Sequence, residues 1–171
     1  MAITRLNHAV LYVRDVGVST AFYVDVLGFR VVASVPGQAV FLQAAQSTND
    51  HDLGLFRIGP GASPSGAGRS AVGLYHLAWE VDTLAELERI HGVLAEGGAL
   101  VGSSDHVTTK ALYAKDPDGL EFEVSWLLPA DLITEEVRAA GLQVLPLDLR
   151  AEIDRYGAHT LGGVGVSDLA Q

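Results

Sequence analysis

Leu6-Asn7-His8-Ala9-Val10-Leu11-Tyr12-Val13-Arg14-Asp15 is echoed later in the chain by Leu74-Tyr75-His76-Leu77-Ala78-Trp79-Glu80-Val81-Asp82. In both stretches a histidine stands two residues after a leucine. A run of β-branched, aromatic and aliphatic residues follows, an aspartate closes it, and the spacing then turns helical. Each copy therefore predicts a strand and then a helix, and the remainder of each half predicts three more strands.

Outward from the first copy, the spacing predicts a helix over Val18 to Leu27 stopped by Gly28, then strands at Arg30–Ser34, Ala39–Gln43 and Asp52–Ile58. In the second copy Thr83 and Glu86 form a capping box, Leu84, Leu87, Ile90 and Leu94 make an apolar stripe, and Gly97-Gly98 ends the helix. Strands are predicted at Leu100–Gly102, Ala111–Lys115 and Glu121–Trp126. Asp116-Pro117-Asp118-Gly119 supplies a tight turn before the last of them.

The fold class is therefore α+β, two tandem βαβββ modules. Module one covers 4–58 and module two 73–128, joined by a Gly-, Pro- and Ser-rich linker at 59–72. Residues 129–171 form an extension with no counterpart in the repeat. It has helical spacing at Leu132–Ala140 and Leu149–Tyr156 and a Gly-rich end from Gly157 onward that is expected to be a flexible tail.

Composition narrows the chemistry. A net charge of -10, with eleven Lys and Arg residues scattered along 171, argues against nucleic acid as a partner. No apolar run approaches the roughly 20 residues of a membrane span, and Met1-Ala2-Ile3-Thr4-Arg5 lacks the layout of a secretory signal, so a cytoplasmic protein is expected. With no cysteine, a bound metal must use His, carboxylate or carbonyl groups.

Equivalent registers put His8 and His76 in equivalent places on two sheets. A lone His in an apolar strand is usually a hydrogen-bonded structural residue, whereas a matched pair is a candidate pair of metal ligands. The last strand of module two adds Glu121 and Glu123 on one face. Strand parity does not separate them, and a solvated edge strand would account for both. Aligning the halves sets Leu53-Gly54-Leu55 over Phe122-Glu123-Val124, so glycine stands where module two has Glu123. Two imidazoles and a single carboxylate, with vacant positions beside them, suit Fe(II) oxygenase chemistry.

With these residues in place, the stretch from about 4 to 128 resembles the vicinal-oxygen-chelate superfamily, and within it the type I extradiol catechol dioxygenases. The resemblance implies an open half-barrel around a metal site. Its metal ligands would be His8, His76 and Glu123, the last by its spacing from Gly119 in the Asp116-Pro117-Asp118-Gly119 turn. It also implies an acid–base role for His51 in His51-Asp52-Leu53-Gly54-Leu55, a substrate-contacting Tyr113 and an outer His106. Viewed singly, His51 and His106 read equally as polar loop residues and Tyr113 as a packed strand aromatic. His91 and His159 are expected to be structural or solvated.

The implied activity is insertion of O2 into a small aromatic diol at a mononuclear Fe(II) site, with Mn(II) as the other candidate metal and a homo-oligomer as the expected assembly. The alternatives are a glyoxalase-like metal-dependent lyase or isomerase, in which a second Glu would be expected at Gly54, and a non-catalytic small-molecule-binding protein of the resistance type. The large extradiol enzymes have four modules where this chain has two and a helical extension.

Overall fold

A computed structural model describes residues 2–3, 5–68 and 70–163. Met1, Thr4 and Arg69, which fall in the N-terminal, module-one and linker readings, and residues 164–171 of the expected tail lie outside the described residues. The chain divides into two compact units: Met1–Gly66 with Asp116–Leu120, and Ala67–Lys115 with Glu121–Gln171.

In the first unit the order is β1 (Ala9–Val13), α1 (Val16–Leu27), β2 (Arg30–Val35), β3 (Ala39–Gln43) and β4 (Leu53–Arg57). The sheet runs β1-β4-β3-β2, with β1 parallel to β4 and the other pairs antiparallel. The alternation of β1 buries Leu11 and Val13 and exposes Val10 and Tyr12. Helix α1 starts two residues earlier than its spacing predicts, because the Asp15 carboxylate accepts hydrogen bonds from Gly17 N and Val18 N and so caps a first turn containing a glycine. Gly28 ends the helix at φ 72, a left-handed conformation that glycine adopts without steric cost.

The Asp116-Pro117-Asp118-Gly119 turn belongs to this first unit. Asp116 Oδ1 accepts from Asp118 N and Leu120 N, both at 2.9 Å, and Tyr23 Oη donates to Asp116 Oδ2 at 3.2 Å. Arg14 reaches Asp118 at 2.7 Å. Burial pushes the Asp116 carboxyl above its ordinary value of 3.8, against the opposing pull of its hydrogen bonds. Burial, and next the Asp116 charge, push the Tyr23 phenol well above 10.0.

The second unit repeats the plan: β5 (Leu77–Glu80), α2 (Leu84–Glu96), β6 (Leu100–Asp105), β7 (Thr109–Lys115) and β8 (Glu121–Leu127), in sheet order β5-β8-β7-β6 with β5 parallel to β8. Thr83 Oγ1 caps α2 by accepting from Glu86 N. Leu84, Leu87, Ile90 and Leu94 are all buried, each removing an apolar side chain from water for about 1.5–3 kcal/mol. Both sheets are open mixed sheets, which is the α+β architecture expected.

Two expectations need adjustment. His8 and His76 are not within the first strands: each sits one residue ahead of the first strand residue, Ala9 and Leu77. The extension, which packs in the second unit, begins with a 3-10 turn at Ala130–Leu132. Its helix α3 (Glu135–Ala140) starts only after Thr134, whose Oγ1 accepts from Val137 N. Helix α4 (Leu149–Tyr156) packs on α2.

Residues 157–163, expected to fray, are pinned instead. Ala85 N donates to Ala158 O, Gly162 N to Asp82 O and Gly163 N to Leu127 O, at 2.8, 2.8 and 2.9 Å. Gly162 is buried, and a Cβ there would collide with the Trp126 indole and the Leu127 carbonyl, so the glycine serves a close approach. Among the described residues, no helix is long and apolar enough to cross a membrane.

Candidate active site

The six residues singled out from the sequence fall into two groups. In the first unit, His51 immediately precedes Asp52 and β4, and His8 immediately precedes β1. Their rings lie 4.5 Å apart, and Phe41 of β3 stands edge-on to His51 at 5.1 Å. His51 Nδ1 is 3.3 Å from the exposed carboxylate of Asp50, which the His51 N–H in turn holds below its usual range. His8 Nδ1 faces the Asn7 side-chain oxygen at 2.7 Å. The loop beneath is tied by Asp52, which accepts from Ala44 N, Ser47 Oγ and Asn49 Nδ2.

In the second unit, β8 lies between β5 and β7, with Glu123 in register with Ala78 on one side and Tyr113 on the other. Parity leaves Glu121 and Glu123 equivalent, and it is the contact with His76 that separates them. Glu123 Oε2 is 3.3 Å from His76 Nε2, and both side chains are largely withdrawn from solvent, 13% and 24% exposed. Tyr113 lies beside His76 with ring centroids 5.8 Å apart, and its hydroxyl is 2.9 Å from His106 Nε2. Burial first, and the neighbouring Glu123 carboxylate second, raise the Tyr113 phenol above 10.0. At neutral pH this group is a hydroxyl, able to donate one hydrogen bond and to accept others.

One feature of this unit has no signature in the sequence. Lys110 of β7 is only 1% exposed, a placement rare for lysine. Its Nζ lies 2.6 Å from Asp105 Oδ1 and 2.9 Å from Glu152 of α4, and donates to Val107 O at 3.1 Å. Asp105 Oδ1 also accepts from Val107 N at 2.7 Å. Val107 has φ 71, and among the described residues it is the one non-glycine at positive φ. A β-branched side chain there stores of order 1–3 kcal/mol, and the surrounding ion pairs hold it. His106 is carried on this strained turn.

The model of the "Glyoxalase/Bleomycin resistance protein/Dioxygenase superfamily" matches residues 5–124, which take in most of both modules and all six residues. The chain belongs to this superfamily. It is similar to the catechol-2,3-dioxygenase of Bacillus subtilis (strain 168), 32% identical over 121 residues that make up 71% of this chain and 41% of that protein. It is similar also to biphenyl-2,3-diol 1,2-dioxygenase 3 of Rhodococcus globerulus, 34% identical over 116 residues, 67% of this chain and 59% of the relative. The chain thus matches less than two thirds of the length of either dioxygenase. Among solved structures, the lactoylglutathione lyase of Agrobacterium tumefaciens superposes with a TM-score of 0.53 at 26% identity, covering 73% of this chain and 95% of the other.

Proteins of this superfamily commonly bind a divalent metal, so the fit of the donors matters. Two ligands of one divalent ion, each bonded at about 2.0–2.2 Å, stand about 2.8–3.6 Å apart in an octahedral or tetrahedral shell. The His76–Glu123 separation of 3.3 Å fits that spacing. His76 Nδ1 is buried with no hydrogen-bond partner among the described residues, and Nε2 faces the Glu123 carboxylate, an acceptor, so Nε2 would carry a proton that a bound metal ion replaces. A neutral imidazole lone pair beside a carboxylate is a donor set suited to Fe(II), Mn(II) or Zn(II). Among the described residues, no group of three or more His, Cys, Asp or Glu side chains is gathered closely enough to hold a metal ion.

Proposed function

We propose that the chain is an extradiol ring-cleaving dioxygenase, inserting O2 into a catechol-type aromatic diol at a mononuclear Fe(II) held by His8, His76 and Glu123. The observation that carries the reading is the contrast in register between the modules. Glu123 pairs with Ala78, two residues after His76, while Gly54 pairs with Val10, two residues after His8. The duplicated scaffold thus offers two histidines and a single carboxylate, the set that leaves positions for both a diol and O2. The likeness to two diol dioxygenases supports the same choice.

When bound, the metal supplies Lewis acidity toward the diol oxygens and a redox-active centre for O2; Mn(II) would serve the same donors. The protein's own part is orientation and proton handling. Burial, and next the Glu123 charge beside His76, keep Tyr113 protonated, so that Tyr113 meets a substrate oxygen as a neutral hydroxyl. His106 holds that hydroxyl from behind. His51, packed between His8 and Phe41, is the acid–base group that accepts and returns a proton during ring opening. The product would be of the hydroxymuconic semialdehyde type. The reading carries with it a cytoplasmic homo-oligomer.

A lyase reading has one observation in its favour, the likeness to lactoylglutathione lyase. Gly54 counts against it, since a second carboxylate would be expected there. Anaerobic reconstitution with Fe(II), followed by O2 uptake and product absorbance on a panel including catechol and biphenyl-2,3-diol, separates the two. Oxygen consumption coupled to a yellow semialdehyde is expected. Metal-dependent turnover of a hemithioacetal without O2 uptake would replace this proposal with the lyase. In the same assay His76→Ala is expected to lose iron, and His51→Ala to keep iron and lose turnover. Full turnover by the latter removes His51 from the acid–base role.

A further inference from the structure

The C-terminal extension has no counterpart in the duplication, yet it touches the candidate site. Leu145 exchanges both main-chain hydrogen bonds with Asp105, N to O and O to N at 2.9 Å each, adding a one-residue antiparallel bridge at the end of β6. Helix α4 supplies Glu152 to the buried Lys110, whose other partner is the same Asp105. Two anchors of different chemistry therefore fix the extension to the turn that carries His106. Between α3 and the bridge, the Gln143 main-chain carbonyl comes within 3.2 Å of His106 Nδ1, while His106 Nε2 meets the Tyr113 hydroxyl at 2.9 Å.

A carbonyl oxygen accepts and never donates, so a bare Nδ1 facing it would set two lone pairs against each other. His106 must carry its proton on Nδ1, and a neutral ring then has a bare Nε2. That nitrogen needs a donor, and the Tyr113 hydroxyl is the one in reach. Tyr113 has one proton and a second claimant, the Glu123 carboxylate. The protonated Nδ1 decides between them.

We propose that the C-terminal extension is a positioning element for the site: the Gln143 carbonyl holds His106 as its Nδ1–H tautomer, and His106 thereby fixes the direction of the Tyr113 hydroxyl. The ring is placed from outside the duplicated modules, much as a carboxylate or carbonyl orients a catalytic or metal-bound imidazole. On the dioxygenase reading, which this consequence rests on, Tyr113 spends its proton on His106. Its oxygen then faces the substrate as an acceptor, selecting a diol that still carries a hydroxyl hydrogen at that position.

The test is made on the full chain, metal-free, uniformly labelled with nitrogen-15 and held above the His titration range. Long-range proton–nitrogen correlation reads which ring nitrogen of His106 bears hydrogen, with His106→Gln used only for assignment. The wild-type ring is expected to show a pyrrole-like Nδ1 and a pyridine-like Nε2. Inserting one glycine between Gln143 and Val144 moves the carbonyl out of register, and Leu145→Pro removes the N–H that bonds to Asp105. Either change is expected to shift His106 toward the Nε2–H form usual in water.

A wild-type ring that is Nε2–H, or doubly protonated, overturns the proposal, and this outcome needs no variant to fold. So does an unchanged tautomer in both folded variants. As a separate arm, the variants are expected to lower kcat for the diol roughly 10–100-fold with Fe(II) affinity unchanged. If the tautomer shifts as stated but the wild type opens no ring, the dioxygenase reading fails and the positioning role stands.

Discussion

Gly54 and Glu123 occupy the same place in two copies of one sheet. Gly54 lies between Val10 on β1 and Phe41 on β3, and Glu123 between Ala78 on β5 and Tyr113 on β7. The correspondence extends to irregularities: β2 shifts register between Val31 and Ala33, and β6 between Leu100 and Gly102, so that Ala33 pairs with Phe41 and Gly102 with Tyr113. Duplication has kept the backbone down to its bulges while the side chains have parted. Module one answers Glu123 and Tyr113 with glycine and phenylalanine and carries a second histidine, His51, ahead of its last strand. A bulge re-aims the chain locally, so its retention in both copies shows that the backbone frame is the inherited part and the chemistry the variable one.

The largest departure between the copies is Lys110. Counting from the Phe41–Tyr113 equivalence, its counterpart is Gln38, which is exposed. Lys110→Met should therefore cost roughly 3–5 kcal/mol, because Asp105 and Glu152 would be left facing each other without a buried cation. Urea unfolding monitored by the Trp126 region's fluorescence reads this. The double change Lys110→Met with Glu152→Leu should recover part of the loss, since replacing a whole buried ion pair is milder than breaking it. A single variant as stable as the wild type would mean the buried pair contributes nothing to holding α4.

Gly54→Glu tests the comparison from the other side by making module one resemble module two. A Cβ at Gly54 meets Phe56 and Val10 at 3.5 Å and Phe41 at 3.7 Å, ordinary contacts that leave the backbone undisturbed. The variant should fold, retain metal and lose O2-dependent turnover by at least the roughly 10–100-fold typical of disturbing a metal's surroundings. Metal content and oxygen uptake on the same preparation check it. Undiminished ring cleavage would show that the vacancy at residue 54 does not decide the chemistry.

Much of this scaffold was legible because its signals are local. The paired strands that each follow a histidine, the Thr83–Glu86 cap and the α2 stripe need only neighbours within a few residues to be read. Helix α1 began early because one side chain, Asp15, can satisfy two N–H groups despite Gly17. What stayed hidden depends on distant partners. Glu121 and Glu123 are indistinguishable until His76 is seen beside one of them, and Lys110 reads as a surface lysine until Asp105 and Glu152 are seen around it. The end of the chain read as loose because glycine-rich segments usually are, whereas Gly162 is small in order to pass beside Trp126. Of the candidate site, the histidine pair and the single carboxylate were visible as a pattern, while the hold of Gln143 on His106 was not, since a main-chain carbonyl leaves no mark in the sequence.

The smallest effect concerns the turns before the last strand of each module. Module one ties its turn with Asp52, whose carboxylate accepts from Ala44 N and two side chains. Module two uses Asp116, which is 5% exposed and faces the Tyr23 hydroxyl. Burial raises the Asp116 carboxyl above 3.8, so the folded chain holds that proton more tightly than the unfolded chain does. Stability from this group is present below 3.8 and is lost as pH rises through the folded value, because only the unfolded state ionises freely in that window. Asp116→Asn keeps an oxygen for Asp118 N and Leu120 N but has no proton to lose. The wild-type unfolding midpoint in urea, taken relative to that variant, should therefore decline as pH rises from 3.8 and level off once Asp116 is ionised in both states. A difference that stays flat or climbs across the window would mean that the hydrogen bonds from Leu120, Asp118 and Tyr23 outweigh burial, and that the two turns are held by carboxylates of the same kind.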